Sequence, residues 1–372
     1  MNVGDVVQML ETIAPPRFAE PWDNVGLLVG GRDWRVEHVM LTIDLTSAVL
    51  DEAVKDGATM IVAYHPPIFE PLKSISDRSP RERLVLEAAR RGIAVYSPHT
   101  ALDAAPGGVN DWLAQGLGAG DVRSLTPHAH VPASEEMKII TFCPAEAADR
   151  LRTALSTVGA GRIGEYEMCS FETPGTGTFF GREAARPTVG KPGQLERVSE
   201  VKLEMVCPRR ALALAVMTIR RFHPYEEPPI EIHELKPRPD RTTGQGRRVV
   251  LDRPVSLRTL VDRIRDTVGS KRILAAVGDG APRQYDRIGL CAGAGGSLLH
   301  LAIDEGCQVF FTGEMRHHDV LAAQARGCTV ILAGHTNTER GYLKILRKRM
   351  LESLGEAEIV LSKRDADPLT LM

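Results

Sequence analysis

The sequence predicts an α/β protein: a discontinuous body of two α/β halves, interrupted by an inserted α+β domain. Three observations predict it. Apolar, β-prone runs alternate with amphipathic helical patterns over the first 125 residues and again after residue 250. That is the alternation of a mostly parallel sheet with helices on its faces. Two polar stretches, TPHAHVPASEE (126–136) and KPRPDRTTGQGRR (236–248), bracket a middle segment with its own βα, βα pattern. Finally, metal-capable residues follow apolar runs at both ends of the chain.

The elements follow in order. MNVGDVVQMLETIAPP opens as an amphipathic helix stopped by Pro15 and Pro16. It has two acids and no basic n-region, so it does not read as a signal peptide. VMLTID (39–44), TMIVAY (59–64) and IAVYSP (93–98) are strands. SAVLDEAVKDG (47–57), RERLVLEAARRG (81–92) and GVNDWLAQGLG (108–118) are helices, each closed by Gly. In the middle segment, KIITFC (138–143), VKLEMVC (201–207) and IEIHEL (230–235) are strands, and 147–159 and 210–224 are helices. A Gly/Thr-rich stretch, 175–193, lies between them. After residue 250, helices are expected at 256–269, 297–306 and 338–355, and strands at 273–278, 287–293, 308–313 and 329–334. The division drawn from this is 1–128, 129–246 and 247–372.

Composition narrows the function classes. Lys+Arg number 46 against Asp+Glu 48, a net charge of −2, which gives no support to a generic nucleic-acid binder. Six cysteines, none in a CxxC pair and most within apolar runs, read as reduced thiols of a cytoplasmic protein. No run approaches 18 apolar residues, so no membrane span is expected. There is no GxSxG and no reactive-Cys context, which disfavours Ser or Cys nucleophiles.

The chemistry-bearing residues lie just past the strands. His65 lies in MIVAYHPPIF, His99 and Asp103 in AVYSPHTALD, Glu314, His317, His318 and Asp319 in VFFTGEMRHHD, and His335 and Glu339 in VILAGHTNTER. In open α/β sheets, ligands bind outside the carboxyl ends of strands. Four such strand ends suggest one shared site, built from segments some 230 residues apart. Imidazole with carboxylate suits Zn, Mn or Fe better than Ca. Each cluster has a plainer reading: His65 as a turn residue, His99–Asp103 as a capping pair, Glu339 as a dipole-stabilised helix start, the HHD run as a solvated helix start. CAGAGGSLLH offers Gly295, Gly296 and Ser297 as an anion-binding helix start, or as a tight turn. Asp23 and Asn24 of WDNVGLLVG read as turn residues. HPYEEPPIEI (223–232) reads as a loop of the inserted unit.

WDNVGLLVG, YHPPIF, SPHTALD, CAGAGGS, TGEMRHHD and GHTNTERG, in that order, resemble the NIF-three-like proteins (NGG-interacting factor three), known in bacteria as GTP cyclohydrolase type 2 homologues. GTGTFFGREAARPTVGKPGQLERV and FHPYEEPPIEIHEL resemble that family's optional PII-like domain. The resemblance implies a dinuclear metal site in a toroidal homohexamer. Its ligands here are His65, Asp103, His335 and Glu339, with His99 and His318 beside them. Tyr64 stands where many bacterial members carry a second histidine. A phenol has an ordinary pKa near 10. Tyr64 then binds as a phenolate if a metal lowers its pKa; otherwise the site holds one metal, or a second one weakly.

Two functions compete. The first is a metal-dependent hydrolase acting on a nucleotide or related phosphorylated small molecule, with His99 or His318 as general acid/base and the GAGGS turn on a phosphate. The second is a non-enzymatic ring protein whose metal is structural or sensory. An open coordination position marks the first, a closed one the second. No membrane partner is expected.

Overall fold

The computed structural model describes residues 1–355 and 357–369. Local chemistry sets the first element. Asn2 accepts from Asp5 N, and Asp5 in turn accepts from Asn2 N; this capping box starts helix α1 (Val3–Ile13). Val3, Val6, Val7 and Leu10 recur at helical spacing and all are buried.

The first sheet contains β1 (Gly26–Val29), β2 (His38–Thr42), β3 (Met60–Ala63) and β4 (Ala94–Ser97). Its order is β1-β4-β3-β2-β15, the last strand being Glu358–Leu361 from the far end of the chain. β4, β3, β2 and β15 run parallel, and β1 is antiparallel. Both faces are covered, so these strands are continuous apolar runs rather than alternating ones. Val39 and Leu41 enter one core cluster and Met40 the other. Helices α2 (Ser47–Lys55) and α3 (Pro80–Arg90) cover the Met40 face through Val49, Ala53, Val85 and Ala88. Two further helices, α4 (His99–Ala104) and α5 (Val109–Leu117), follow β4.

The second sheet is formed by β5 (Gly120–His130), β10 (Arg238–Val255), β11 (Leu274–Ala276), β12 (Tyr285–Cys291), β13 (Val309–Thr312) and β14 (Thr329–Leu332), in the order β11-β14-β13-β12-β10-β5. β12, β13 and β14 are parallel. The largest core cluster takes Val39, Leu41 and Val62 from the first sheet with Ile288, Leu290 and Phe311 from the second. It also takes apolar faces of α1, α5, α8 (Leu257–Val268) and α12 (Leu343–Leu354). On the other face of the second sheet, α9 (Leu299–Asp304) and α10 (His317–Ala325) bury Phe310 and Val330.

The chain divides into two compact units, residues 1–128 with 240–372, and residues 129–239. The second unit is α+β: β6 (Met137–Cys143), α6 (Ala145–Thr157), β7 (Phe171–Phe180), β8 (Leu195–Cys207), α7 (Leu212–Phe222) and β9 (Ile230–Glu234). Its antiparallel sheet runs β7-β8-β6-β9. Leu151, Leu155, Ala215 and Ile219 pack on Ile139, Leu203 and Met205.

Three expectations are corrected. The stretch 236–248 is not a link: from Arg238 onward it is the start of β10, so 240–246 belong to the body and the boundary moves from 246 to 239. Thr243, Gln245 and Arg247 alternate inward there, as buried polar residues that carry no apolar signal. Arg247 is 1% exposed. It donates to the carbonyls of Gly244 and Gly246 and pairs with Asp111. Its remaining nitrogen lies 3.5 and 3.4 Å from the carbonyls of Ala104 and Ala105 at the end of α4. Second, part of the Gly/Thr-rich stretch is strand β7, paired with β8 along its whole length. Third, the helix expected over 338–355 breaks into α11 (Asn337–Arg340) and α12.

Candidate metal centre

Most residues of the site follow a strand end. β2 is followed by Asp44, β3 by Tyr64 and His65, β4 by His99, β13 by Glu314 and β14 by His335. Glu339 sits in α11, one short turn beyond His335. Ligand atoms of His65, His335 and Glu339 all lie within 4.8 Å of one another, a group able to hold a metal ion.

The two histidines are oriented alike. His65 Nδ1 is 2.9 Å from Asp44 Oδ1, and His335 Nδ1 is 2.9 Å from Glu314 Oε1. An acceptor on Nδ1 selects the tautomer that frees Nε2, the usual arrangement of a metal-binding imidazole. Both Nε2 atoms face Glu339, at 3.4 Å from Oε2 and 3.4 Å from Oε1. Glu339 is 3% exposed, and among the described residues its Oε2 meets no donor closer than the 3.4 Å approach of His65 Nε2. A buried carboxylate oxygen without a close donor is costly, and a cation would satisfy it. Burial lowers the His65 pKa, but the hydrogen bonds to Asp44 and Glu339 and the charges of both outweigh it and lift the ring to about 10. The pocket thus favours positive charge. Gly293 leaves room for the triad: its φ is +60°, and a Cβ there would lie 2.7 Å from Glu339 Oε1 and 3.1 Å from His335 Nε2. The donor set fits a divalent metal of the imidazole–carboxylate class.

Asp103 and Tyr64 stand beside this group. The buried Tyr64 hydroxyl donates to Asp103 Oδ1 at 2.5 Å. Burial and the Asp103 charge push the phenol well above its ordinary pKa, so phenolate is disfavoured as the residues stand. Burial likewise raises Asp103 to about 6. Asn110 fixes the backbone here, donating to Asp103 O at 3.1 Å and accepting from Ala292 N at 2.8 Å. Gln245 adds a brace from β10, donating to Thr100 O at 3.0 Å.

His99 joins the ring cluster, 5.3 Å from His65 and 5.6 Å from Tyr64 between centroids. Its φ is +27°, a strained value for a residue with a side chain. Its Nδ1 lies 2.7 Å from Asp23 Oδ1, and the Asp23 side chain is fully buried. Burial raises the Asp23 pKa, but the bonds to His99 and Thr100 more than offset this and hold it low. Asp23 is therefore more than the turn residue expected from WDN, and Asp44 carries no mark of its role in the sequence. Neither spacing nor periodicity marks them; only their closeness to His65 and His99 does.

His318 is placed differently. It is exposed in the first turn of α10, with His317 as its ring neighbour at 5.6 Å. It is not among the residues that converge on Glu339. In the Gly-rich turn, the Gly295 amide is already committed to Thr312 Oγ1 at 2.9 Å, so it is not free for a phosphate. Gly296 and Ser297 do line a cavity of 670 Å³, with Glu314, Arg316 and Asp319 among its walls, within the range of about 300–1,000 Å³ usual for small-molecule sites.

The profile of the Duf34/NIF3 (NGG1p interacting factor 3) family matches residues 1–368. The "GTP cyclohydrolase 1 type 2 homolog" of Bacillus subtilis is 32% identical over 100% of this chain and 99% of that one. "NIF3-like protein 1" of Bos taurus is 35% identical over 99% of this chain and 92% of its own. The crystal structure of a Bacillus cereus protein related to NIF3 superposes with a TM-score of 0.67 at 31% identity, covering 100% of this chain and 99% of that chain. With that profile match running almost end to end over the two sheets that build the triad, the chain belongs to the Duf34/NIF3 family.

Proposed function

We propose that the chain is a divalent-metal-dependent hydrolase acting on a nucleotide or a related phosphorylated small molecule. The observation that carries this is the matched orientation of His65 and His335, each held at Nδ1 by a carboxylate and aimed through Nε2 at the buried Glu339. Zn, Mn or Fe suits these donors. A bound divalent ion would lower the pKa of water and polarise a phosphoryl or ring-carbon centre. Three protein ligands leave a position open, the pattern of a catalytic rather than a structural site. His99, held by Asp23, is positioned to move a proton beside it. Asp103 Oδ1 carries the Tyr64 hydrogen bond, and burial favours the neutral form of both groups, so we read the site as holding one metal firmly and a second weakly. The nucleotide substrate rests on the relatives' printed name and on the 670 Å³ cavity beyond Glu314.

The family resemblance supports two further parts of the reading: a homohexamer, and a PII-like role for residues 129–239. The α+β make-up of that unit suits the second.

Elemental analysis of protein purified without chelators tests the metal. At least one Zn, Mn or Fe per chain is expected. Phosphate release from a panel of nucleotides then tests the hydrolase. A metal-free protein that gains no ion on dialysis against these metals would sink the proposal, and a loaded protein without activity would leave the alternative of a non-enzymatic metal protein.

A further inference from the structure

Sequence and structure place two large aromatic side chains at the rim of the site. Trp22 is 59% exposed and Phe69 44%. Their centroids are 5.9 Å apart, and each also lies against His99, at 6.2 and 6.4 Å. From His99 the rings continue inward to His65 at 5.3 Å and on to His335 at 5.5 Å. Single exposed apolar residues need no explanation; a contacting pair leading directly to a metal-binding triad does.

The loops carrying the pair are tied down. Asn24 Nδ2 donates to Ile68 O at 2.5 Å, joining the Trp22 loop to the Phe69 loop. On one side of Trp22, the Glu20 amide donates to Thr100 Oγ1 at 3.0 Å. On the other, Asp23 accepts from the Thr100 amide and hydroxyl and faces His99. Pro66 and Pro67 stiffen the approach to Phe69. The backbone is anchored while the two rings remain in solvent, which is the preparation a stacking surface needs.

The spacing defines the guest. At 5.9 Å and 52° the two rings cannot sandwich a third, which would need about 7 Å, two contacts of about 3.5 Å. They form a corner instead. A flat ring can lie on one face and present its edge to the other, the two arrangements aromatic pairs prefer. The geometry points to Trp22 and Phe69 as the platform for a planar heteroaromatic ring of nucleobase size, holding the ligand's ring at the rim while its remainder reaches past His99 to the metal site. This rests on the reading of that site as one for small-molecule substrates, and it assigns ring recognition to two residues that make no contact with metal.

Isothermal titration of the full chain, both metal-loaded and chelated, decides it. The probes are guanosine 5′-monophosphate, adenosine 5′-monophosphate and ribose 5-phosphate. The nucleotides are expected to bind, and W22A and F69A each to weaken them by about tenfold or more, as loss of one base–aromatic stack does. W22F should retain most of the affinity, and ribose 5-phosphate should bind equally to all variants. Both residues are exposed, so far-UV circular dichroism should not change. Nucleotide affinity unchanged in W22A and F69A, or no nucleotide binding to either form, overturns the platform; so does an equal loss of ribose 5-phosphate. The hydrolase reading fails separately: Trp22-dependent ring binding without phosphate release keeps the platform and removes the hydrolase, while metal-dependent release that ignores both variants does the reverse.

Discussion

Glu339 is the residue on which the site turns, because it is buried, has no close donor on one oxygen among the described residues, and faces two histidines. The double variant H335A/E339A should bind no metal yet keep its fold, since it removes an uncompensated buried charge rather than core packing. Elemental analysis and circular dichroism check this, and loss of secondary structure would show that these side chains hold the core instead. The carboxylates behind the histidines are not equal. Asp44 is 38% exposed and Glu314 58%, and an exposed partner is screened and mobile. D44N should therefore weaken metal binding by about tenfold or more, toward the usual range for such partners, and E314Q by less. Competition with a chelating dye measures both, and the reverse ranking would show that exposure does not govern their strength. The sequence exposes the ligands themselves, because His and Glu past apolar strands are conspicuous. It hides Asp44 and Asp23, because a carboxylate after a strand is ordinary until its neighbour is known.

Among the elements, the turn after β12 and the start of β10 decide most. Gly293 has a φ of +60° and no room for a Cβ beside Glu339. G293A should cost about 1–3 kcal/mol of stability for the strained backbone and also weaken metal binding; a thermal melt and a metal titration read the two effects. Arg247 is a buried hub for carbonyls and Asp111. R247M should cost about 3–5 kcal/mol, the loss seen when one partner of a buried pair is removed, as read by urea denaturation. In the second unit, His223 is buried, donates through Nε2 to Phe142 O at 2.9 Å, and accepts the Tyr225 amide on Nδ1. Burial lowers its pKa from 6.5 despite the bond to Phe142 O. Above pH 6.5 the ring is neutral in both folded and unfolded chains, and stability is complete. As pH falls through 6.5 the unfolded chain takes a proton that the folded one resists, so stability drops until the folded ring titrates too. Urea midpoints at pH 7.5 and 5.5 should show a smaller fall in H223Q than in the parent chain; equal falls would clear His223 of the effect. The helices and parallel strands are legible from periodicity and Gly stops. β10 is not, because its inward positions are Thr, Gln and Arg, held by hydrogen bonds rather than by apolar burial.

For the molecule as a whole, the boundary at residue 239 has a consequence. Deleting 130–239 should leave a folded, metal-binding body. Extending the deletion to 245 removes Gln245, which braces Thr100 next to His99, and should weaken metal binding or solubility; elemental analysis of both products tests it, and equal behaviour would argue against the brace. No helix among the described residues is long and apolar enough to cross a membrane. The alternation of strands and helices, the inserted segment and the ligand-type residues were written locally, in patterns of 2.0 and 3.6 residues that need no partner to be read. The last strand of the first sheet was not, since EIVL has no short-range feature that pairs it with β2 over 300 residues away. The same holds for the site. Which histidines converge, which carboxylate orients each, and why His318 stands apart are facts of distance between strand ends. Only the packing of two sheets around one core sets those distances.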